Sequence, residues 1–150
     1  MRAKFAISTV CYLFQEDKVL MIKFSKKWGC KYAPIGGKMQ EGETPTECVI
    51  REFKEETNLD LINPQLKGIA YWQEKEEGII FVYTATQIKG SLRESDEGTL
   101  EWIKLEELGN ISQFAMNQKF SQYLIEEGLF EGRFSLDENT NVKTYTIRKI

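Results

Sequence analysis

The sequence predicts a mixed α/β fold of the α+β kind, with helices packed on a sheet. Three observations carry this expectation. Many short runs alternate apolar and polar side chains or concentrate Val, Ile, Thr and aromatics, the pattern of half-buried strands. Two stretches, 45–57 and 117–127, instead space their apolar residues for helices. Strands and helices are interspersed along the chain, and no repeat, linker or low-complexity segment divides it, so they should share one core. The 150 residues read as a single domain, 1–150, long enough for a sizeable interior.

The elements follow in order. Residues 4–14 alternate and read as a strand, 15–18 as a turn and 19–24 as a second strand, giving a hairpin. Residues 25–30 form a polar loop that carries Trp28. An extended piece, 31–37, ends in a glycine turn at Gly36-Gly37. A helix is expected from Pro45 to about Thr57. Thr44 can cap it, Pro45 suits its first position, and Glu47 completes a capping box. Asn58 tolerates the left-handed backbone that ends helices. Thr46, Val49, Ile50 and Phe53 gather on the face expected to meet the core, and Cys48 reads as packing.

A strand follows the Asn63-Pro64 turn within 61–72, and 73–78 is a charged turn. Residues 79–88, IIFVYTATQI, are the strongest β run. A polar loop, 89–98, leads to a short strand, 99–104, and a short helix, 105–108. Phe120, Tyr123, Leu124 and Leu129 mark a second long helix over 117–127, stopped at Gly128. Residues 130–136 and 142–150 close the chain as a hairpin around 137–141.

Composition narrows the function. A net charge of −3 offers no basic field for a nucleic-acid polymer, though single nucleotides remain open. Cys11, Cys30 and Cys48 lack metal-type spacing and read as reduced thiols of a cytoplasmic protein. There is no histidine, which removes Ser-His-Asp and Cys-His mechanisms and a histidine-ligated zinc. Acid–base work then falls to carboxylates, lysines, tyrosines or an acidified water. No apolar run approaches the roughly 20 residues of a membrane span.

The 45–57 helix carries the chemistry. Glu52, Glu55 and Glu56 share an arc, because spacings of three and four lie on one face. Glu52 and Glu56 repel at i,i+4 by about 0.2–0.5 kcal/mol. All three sit where the helix dipole is negative and cations are preferred. A divalent cation is the simplest compensation, and an all-oxygen donor set selects a hard one, Mg²⁺ or Mn²⁺.

The stretch Gly37–Leu59 resembles the Nudix box, Gly-x5-Glu-x7-Arg-Glu-apolar-x-Glu-Glu-x-Gly-apolar. Gly37, Glu43, Arg51, Glu52, Phe53, Glu55, Glu56 and Leu59 match in register, and Asn58 stands where the family has glycine. Ile35 intervenes between Pro34 and the glycines, where the family usually reads Pro-Gly-Gly. The resemblance implies a mixed sheet sandwiched between helices and hydrolysis of a nucleoside diphosphate linked to another moiety. It implies Glu52, Glu55 and Glu56 as metal ligands, with the Gly37 carbonyl. Arg51 would orient the carboxylates with Glu43 as partner, and Glu52 or Glu55 would act as base.

Outside the box, Glu97 in the context Glu-Gly-x-x-Glu-Trp resembles a metal-binding or base glutamate of MutT-type members; Asp96 and Glu101 are its weaker neighbours. Lys38 is either a phosphate contact or a solvated lysine. Asn117 is either a base-reading amide, by resemblance, or the N-cap of the second helix. Phe114 and Trp28 are either stacking surfaces or core. The resemblance implies an 8-oxo-dGTP-type nucleoside triphosphate as substrate. The alternatives are ADP-ribose, a dinucleoside polyphosphate or capped RNA, or a sensor that binds nucleotide without cutting it. Monomer and homodimer both stay open.

Overall fold

The structure, a computed structural model, describes residues 5–25 and 29–150. Trp28 lies outside the described residues. The first strand, β1 (Phe5–Gln15), is the axis of the sheet. It turns through Glu16, at φ 56°, into β2 (Lys18–Phe24). On one edge β1 runs parallel to β7 (Glu77–Ala85), the run predicted to be the strongest strand. Its other edge is shared. The first half pairs with β4 (Ile35–Lys38), and the last residues pair with β2. Strand β2 also pairs with β3 (Tyr32–Ala33) and β9 (Gly98–Lys104). Beyond β7 come β6 (Gln65–Gln73), β10 (Phe130–Leu136) and β11 (Val142–Lys149). The result is a mixed sheet, with parallel pairs β1–β7 and β10–β6 among antiparallel neighbours.

Alternation along the central strands builds a core on each face of the sheet. Cys11 and Leu13 point one way and Tyr12 the other, all fully buried; Leu20 and Ile22 oppose Val19 and Met21. The first face is covered by α1 (Pro45–Thr57), through Val49 and Phe53. Burial of such a side chain stabilises by about 1.5–3 kcal/mol. The second face is covered by α2 (Ala115–Phe120) and the chain after it, through Phe120 and Leu124. This is the expected sheet between helices.

Several expectations change. Gly36-Gly37 is not a turn: both lie in β4, paired with Val10 and Thr9. The reason is space, since a Cβ on Gly36 would fall 1.9 Å from the Thr9 carbonyl oxygen. Ile35, the residue that intrudes before the glycines, is core and 1% exposed. The run 79–88 breaks after Ala85. Gln87–Lys89 leaves the main sheet as β8 and pairs with β5 (Asp60–Ile62), a short strand the sequence did not reveal.

The second helix is shorter than predicted, ending at Phe120 with a 3-10 turn over Ser121–Tyr123. The following residues are held by tertiary contacts instead: Lys67 bonds the Glu126 carbonyl and Lys149 pairs with the Glu126 carboxylate at 2.9 Å. The apolar spacing did mark a core face, with Phe120 and Leu124 buried and Tyr123 packed beside them, while Ile125, off that stripe, is 69% exposed. Asn117 is the third residue of α2, which rules out its reading as N-cap; Phe114 stands at that position. On α1, Thr46 is exposed and bonds Tyr83 Oη at 2.9 Å, while Cys48 takes a fully buried place.

Candidate active site

Helix α1 begins and ends as its residues dictate. Thr44 Oγ1 accepts from the Glu47 amide at 3.1 Å, and Glu47 Oε1 accepts from the Thr44 amide at 3.0 Å. Asn58 closes the helix in the left-handed region at φ 67°, so it serves where the family uses glycine. These fixed ends set the rotation of the helix, and therefore where its acidic arc faces.

Arg51 is the hub of that arc. Its Nε and Nη2 donate to both oxygens of Glu43, at 2.9 and 2.7 Å. Its Nη1 donates to Glu52 at 2.9 Å and to Glu55 at 3.2 Å, and Nη2 also reaches the Lys38 carbonyl at 3.1 Å. The guanidinium and the Gln40 amide hold the Glu43 carboxyl at a pKa of about 2, well below the usual range. Glu43 is thus a permanent anion that clamps Arg51, and Arg51 in turn fixes two helix carboxylates.

Glu52 lies against Gly37. A Cβ on that glycine would meet the Glu52 Cδ at 2.3 Å, so the carboxylate occupies the space that glycine leaves. Burial is the largest influence on Glu52 and raises its pKa, partly offset by Arg51. Beneath Gly37, Cys48 Sγ stands 3.7 Å from the glycine carbonyl and 3.3 Å from Thr9 Oγ1.

Glu56, one turn beyond Glu52 on the same arc, faces the loop before β9. The Ser95 hydroxyl donates to its Oε1. Its pKa rises to about 7, first from burial, then from the charge of Glu97 and a hydrogen bond with it, then from Glu52 and Asp96. The fold therefore brings Glu97 to Glu56 across 41 residues of sequence. Glu55 is the outlier, 57% exposed and turned to Arg51. Among the described residues no three such side chains already converge as a closed ligand set. The crowded carboxylates, one forced to a near-neutral pKa, nonetheless fit an oxygen-seeking divalent cation.

The remaining candidates are placed as follows. Lys38 ends β4 with an exposed side chain, and its carbonyl is tied to Arg51. Phe114 packs edge-on to Phe24 with centroids 6.3 Å apart, and Lys31 Nζ lies 5.0 Å over its ring. Asn117 is partly buried on α2. A cleft of about 530 Å³ lined by Ile69, Tyr71, Ile79 and Arg133 lies elsewhere on the sheet and has a single carboxylate, Glu131.

Sequence reasoning missed Arg93 and Ser95. Arg93 donates from its backbone to the Thr57 carbonyl at 2.9 Å and from its guanidinium to the Glu55 carbonyl at 3.2 Å. The signal was indirect: a helix end crowded with acids needs a cation from somewhere, and Lys54, bonded to the Asn58 carbonyl at 3.2 Å, is the other one present.

Comparison with known proteins agrees with this geometry. Residues 4–127 match the NUDIX domain family. The chain is 32% identical over 147 residues to the uncharacterized Nudix hydrolase YvcI of Bacillus subtilis (strain 168), covering 93% of this chain and 92% of that protein. It is 23% identical over 146 residues to the oxidized purine nucleoside triphosphate hydrolase of Mus musculus, covering 95% and 94% respectively. A crystal structure of the mutator MutT protein from Bacillus halodurans superposes with a TM-score of 0.87 at 29% identity, over 95% of this chain and 97% of that one. With the family match spanning most of the chain and the box residues clustered around Arg51, this protein belongs to the Nudix family and is a hydrolase of nucleoside diphosphate derivatives.

Proposed function

We propose that the protein is a Mg²⁺-dependent nucleoside triphosphate pyrophosphohydrolase acting on oxidised purine nucleotides of the 8-oxo-dGTP type. The observation that carries this reading is the meeting of Glu56 with Glu97 beside the Arg51-held pair Glu52 and Glu55. The Mus musculus relative, an oxidized purine nucleoside triphosphate hydrolase, supports the choice of substrate. Glu52, Glu55, Glu56 and Glu97, with the Gly37 carbonyl, would hold the cation. When bound, the cation supplies charge neutralisation on the phosphate oxygens and a more acidic water.

The chain's own residues then have distinct tasks. Arg51 keeps Glu52 and Glu55 oriented, and Glu43 keeps Arg51 in place. Water adds at one phosphorus and the P–O bond to the neighbouring phosphate breaks. The proton passes to Glu52 or Glu55, and the products are the nucleoside monophosphate and pyrophosphate. Lys38, exposed at the end of β4, would contact a phosphate, and Asn117 would read the base. Residues 1–150 act as one domain, in the cytoplasm, where three free cysteines remain reduced.

The test is a substrate panel with Mg²⁺: canonical dNTPs, 8-oxo-dGTP, ADP-ribose, a dinucleoside polyphosphate and capped RNA. The expected result is preferred turnover of 8-oxo-dGTP with release of pyrophosphate. Preferred turnover of any of the last three, with the dNTPs inert, would replace the substrate assignment. Nucleotide binding with no turnover of any compound would make the protein a sensor.

A further inference from the structure

The loop 90–97 is positioned by the end of α1. Its start is anchored where β8 pairs with β5, and its end where Gly98 pairs with Phe24. Between these anchors the helix terminus grips it. Arg93 bonds the Glu55 and Thr57 carbonyls, and the Asn58 side-chain amide donates to the Ser91 carbonyl at 3.1 Å. The last carbonyls of a helix lack partners within it and sit at its negative pole. Arg93 answers both needs, with hydrogen-bond donors and a positive charge. Four residues beyond Arg93 stands Glu97, whose own side chain is exposed.

Ser95 joins the two halves of the acidic site. Its hydroxyl donates to Glu56 Oε1 and accepts the Glu97 backbone N–H at 3.1 Å. A hydroxyl can do both at once, whereas a carboxylate cannot donate and an ammonium cannot accept. We propose that Ser95 is a positioning residue of the hydrolytic site, its hydroxyl tying the Glu56 carboxylate to the backbone of Glu97, on a loop that Arg93 docks to α1. This rests on the reading of Glu56 and Glu97 as cation ligands. Ser95 acts one bond removed from the cation, by aiming one ligand and placing the next. Its bond to the Glu97 amide alone would be an ordinary serine turn; the bond to Glu56 links that turn to the site.

The experiment uses the full chain and Mn²⁺ without nucleotide, titrated by calorimetry, beside steady-state kinetics with Mg²⁺ and the preferred nucleotide. Ser95→Ala is expected to weaken Mn²⁺ binding and lower kcat by about tenfold or more, the usual effect of losing a group that orients a metal ligand, with little change in KM. Ser95→Thr keeps the hydroxyl and should recover most of both losses. Because Ser95 works partly through Glu97, the double variant Ser95→Ala/Glu97→Gln should fall short of the product of the single effects. Arg93→Ala should weaken Mn²⁺ binding in the same direction.

Wild-type Mn²⁺ binding in Ser95→Ala would overturn the assignment, as would a threonine variant no better than alanine, or effects that multiply fully. Glu56→Gln and Glu97→Gln separate this from the larger reading. If both bind Mn²⁺ like the wild type, the cation site itself is wrong; if both lose it while Ser95→Ala does not, only the role of Ser95 fails.

Discussion

Two adjacent glycines should respond to alanine in opposite ways. Neither has a positive φ, so what matters is the room each leaves. At Gly37 the new methyl would stand 2.3 Å from Glu52 Cδ and 2.4 Å from its Oε2. The obstacle is the tip of a flexible side chain, which can retreat by about 1 Å to reach ordinary contact, so the fold should lose about 1 kcal/mol, the low end of overpacking costs. The retreat moves a proposed cation ligand, and a displacement of about 1 Å at a reacting centre can cost about 100-fold in rate.

At Gly36 the methyl would meet backbone: Thr9 O at 1.9 Å, and Thr9 C and Val10 Cα at 2.7 Å. Strand β4 must then part from β1, and the loss should exceed about 3 kcal/mol, roughly 10 °C in Tm for a chain of this size. Urea denaturation together with Mg²⁺-dependent turnover reads both quantities. Gly37→Ala should stay within about 1 kcal/mol of the wild type and be nearly inactive; Gly36→Ala should be strongly destabilised. A fully active Gly37→Ala enzyme would show that the Glu52 carboxylate need not lie against this strand.

Two further perturbations test the electrostatics. The Glu56 pKa is raised in the fold to about 7, so the folded state holds a proton that the unfolded chain has released. The cation-free protein should therefore lose stability as pH rises from about 4.5 to 7. For this half-exposed group the loss is about 1 kcal/mol after allowance for solvent screening. Glu56→Gln should flatten that part of the Tm profile and Mg²⁺ should oppose the loss; an unchanged slope in the variant would mean the strain lies elsewhere. Arg51→Lys keeps the charge but loses the planar fork that serves Glu43, Glu52 and Glu55 together. It should lower kcat by more than about tenfold, and wild-type kinetics would remove Arg51 from the orienting role.

Much of the site was legible because it is local. The capping box of Thr44 and Glu47, the left-handed Asn58 and the shared arc of Glu52, Glu55 and Glu56 all follow from helix geometry within one turn or two. The pairing of Arg51 with Glu43 was readable only through the family resemblance, since eight residues and a helix start separate them.

The sequence by itself determined the helix, its ends and its acidic face, because those depend on neighbours a few residues away. Tertiary structure decided the rest. It made Gly36-Gly37 a strand, because only the approach of β1 and Glu52 creates the shortage of space that glycine relieves. It ended α2 at Phe120, with a 3-10 turn after it, where the chain packs Phe120 and Leu124 into the core and ties Glu126 to Lys67 and Lys149. It also brought Arg93, Ser95 and Glu97 to the end of α1, across about 40 residues whose path is set by sheet pairing rather than by local preference.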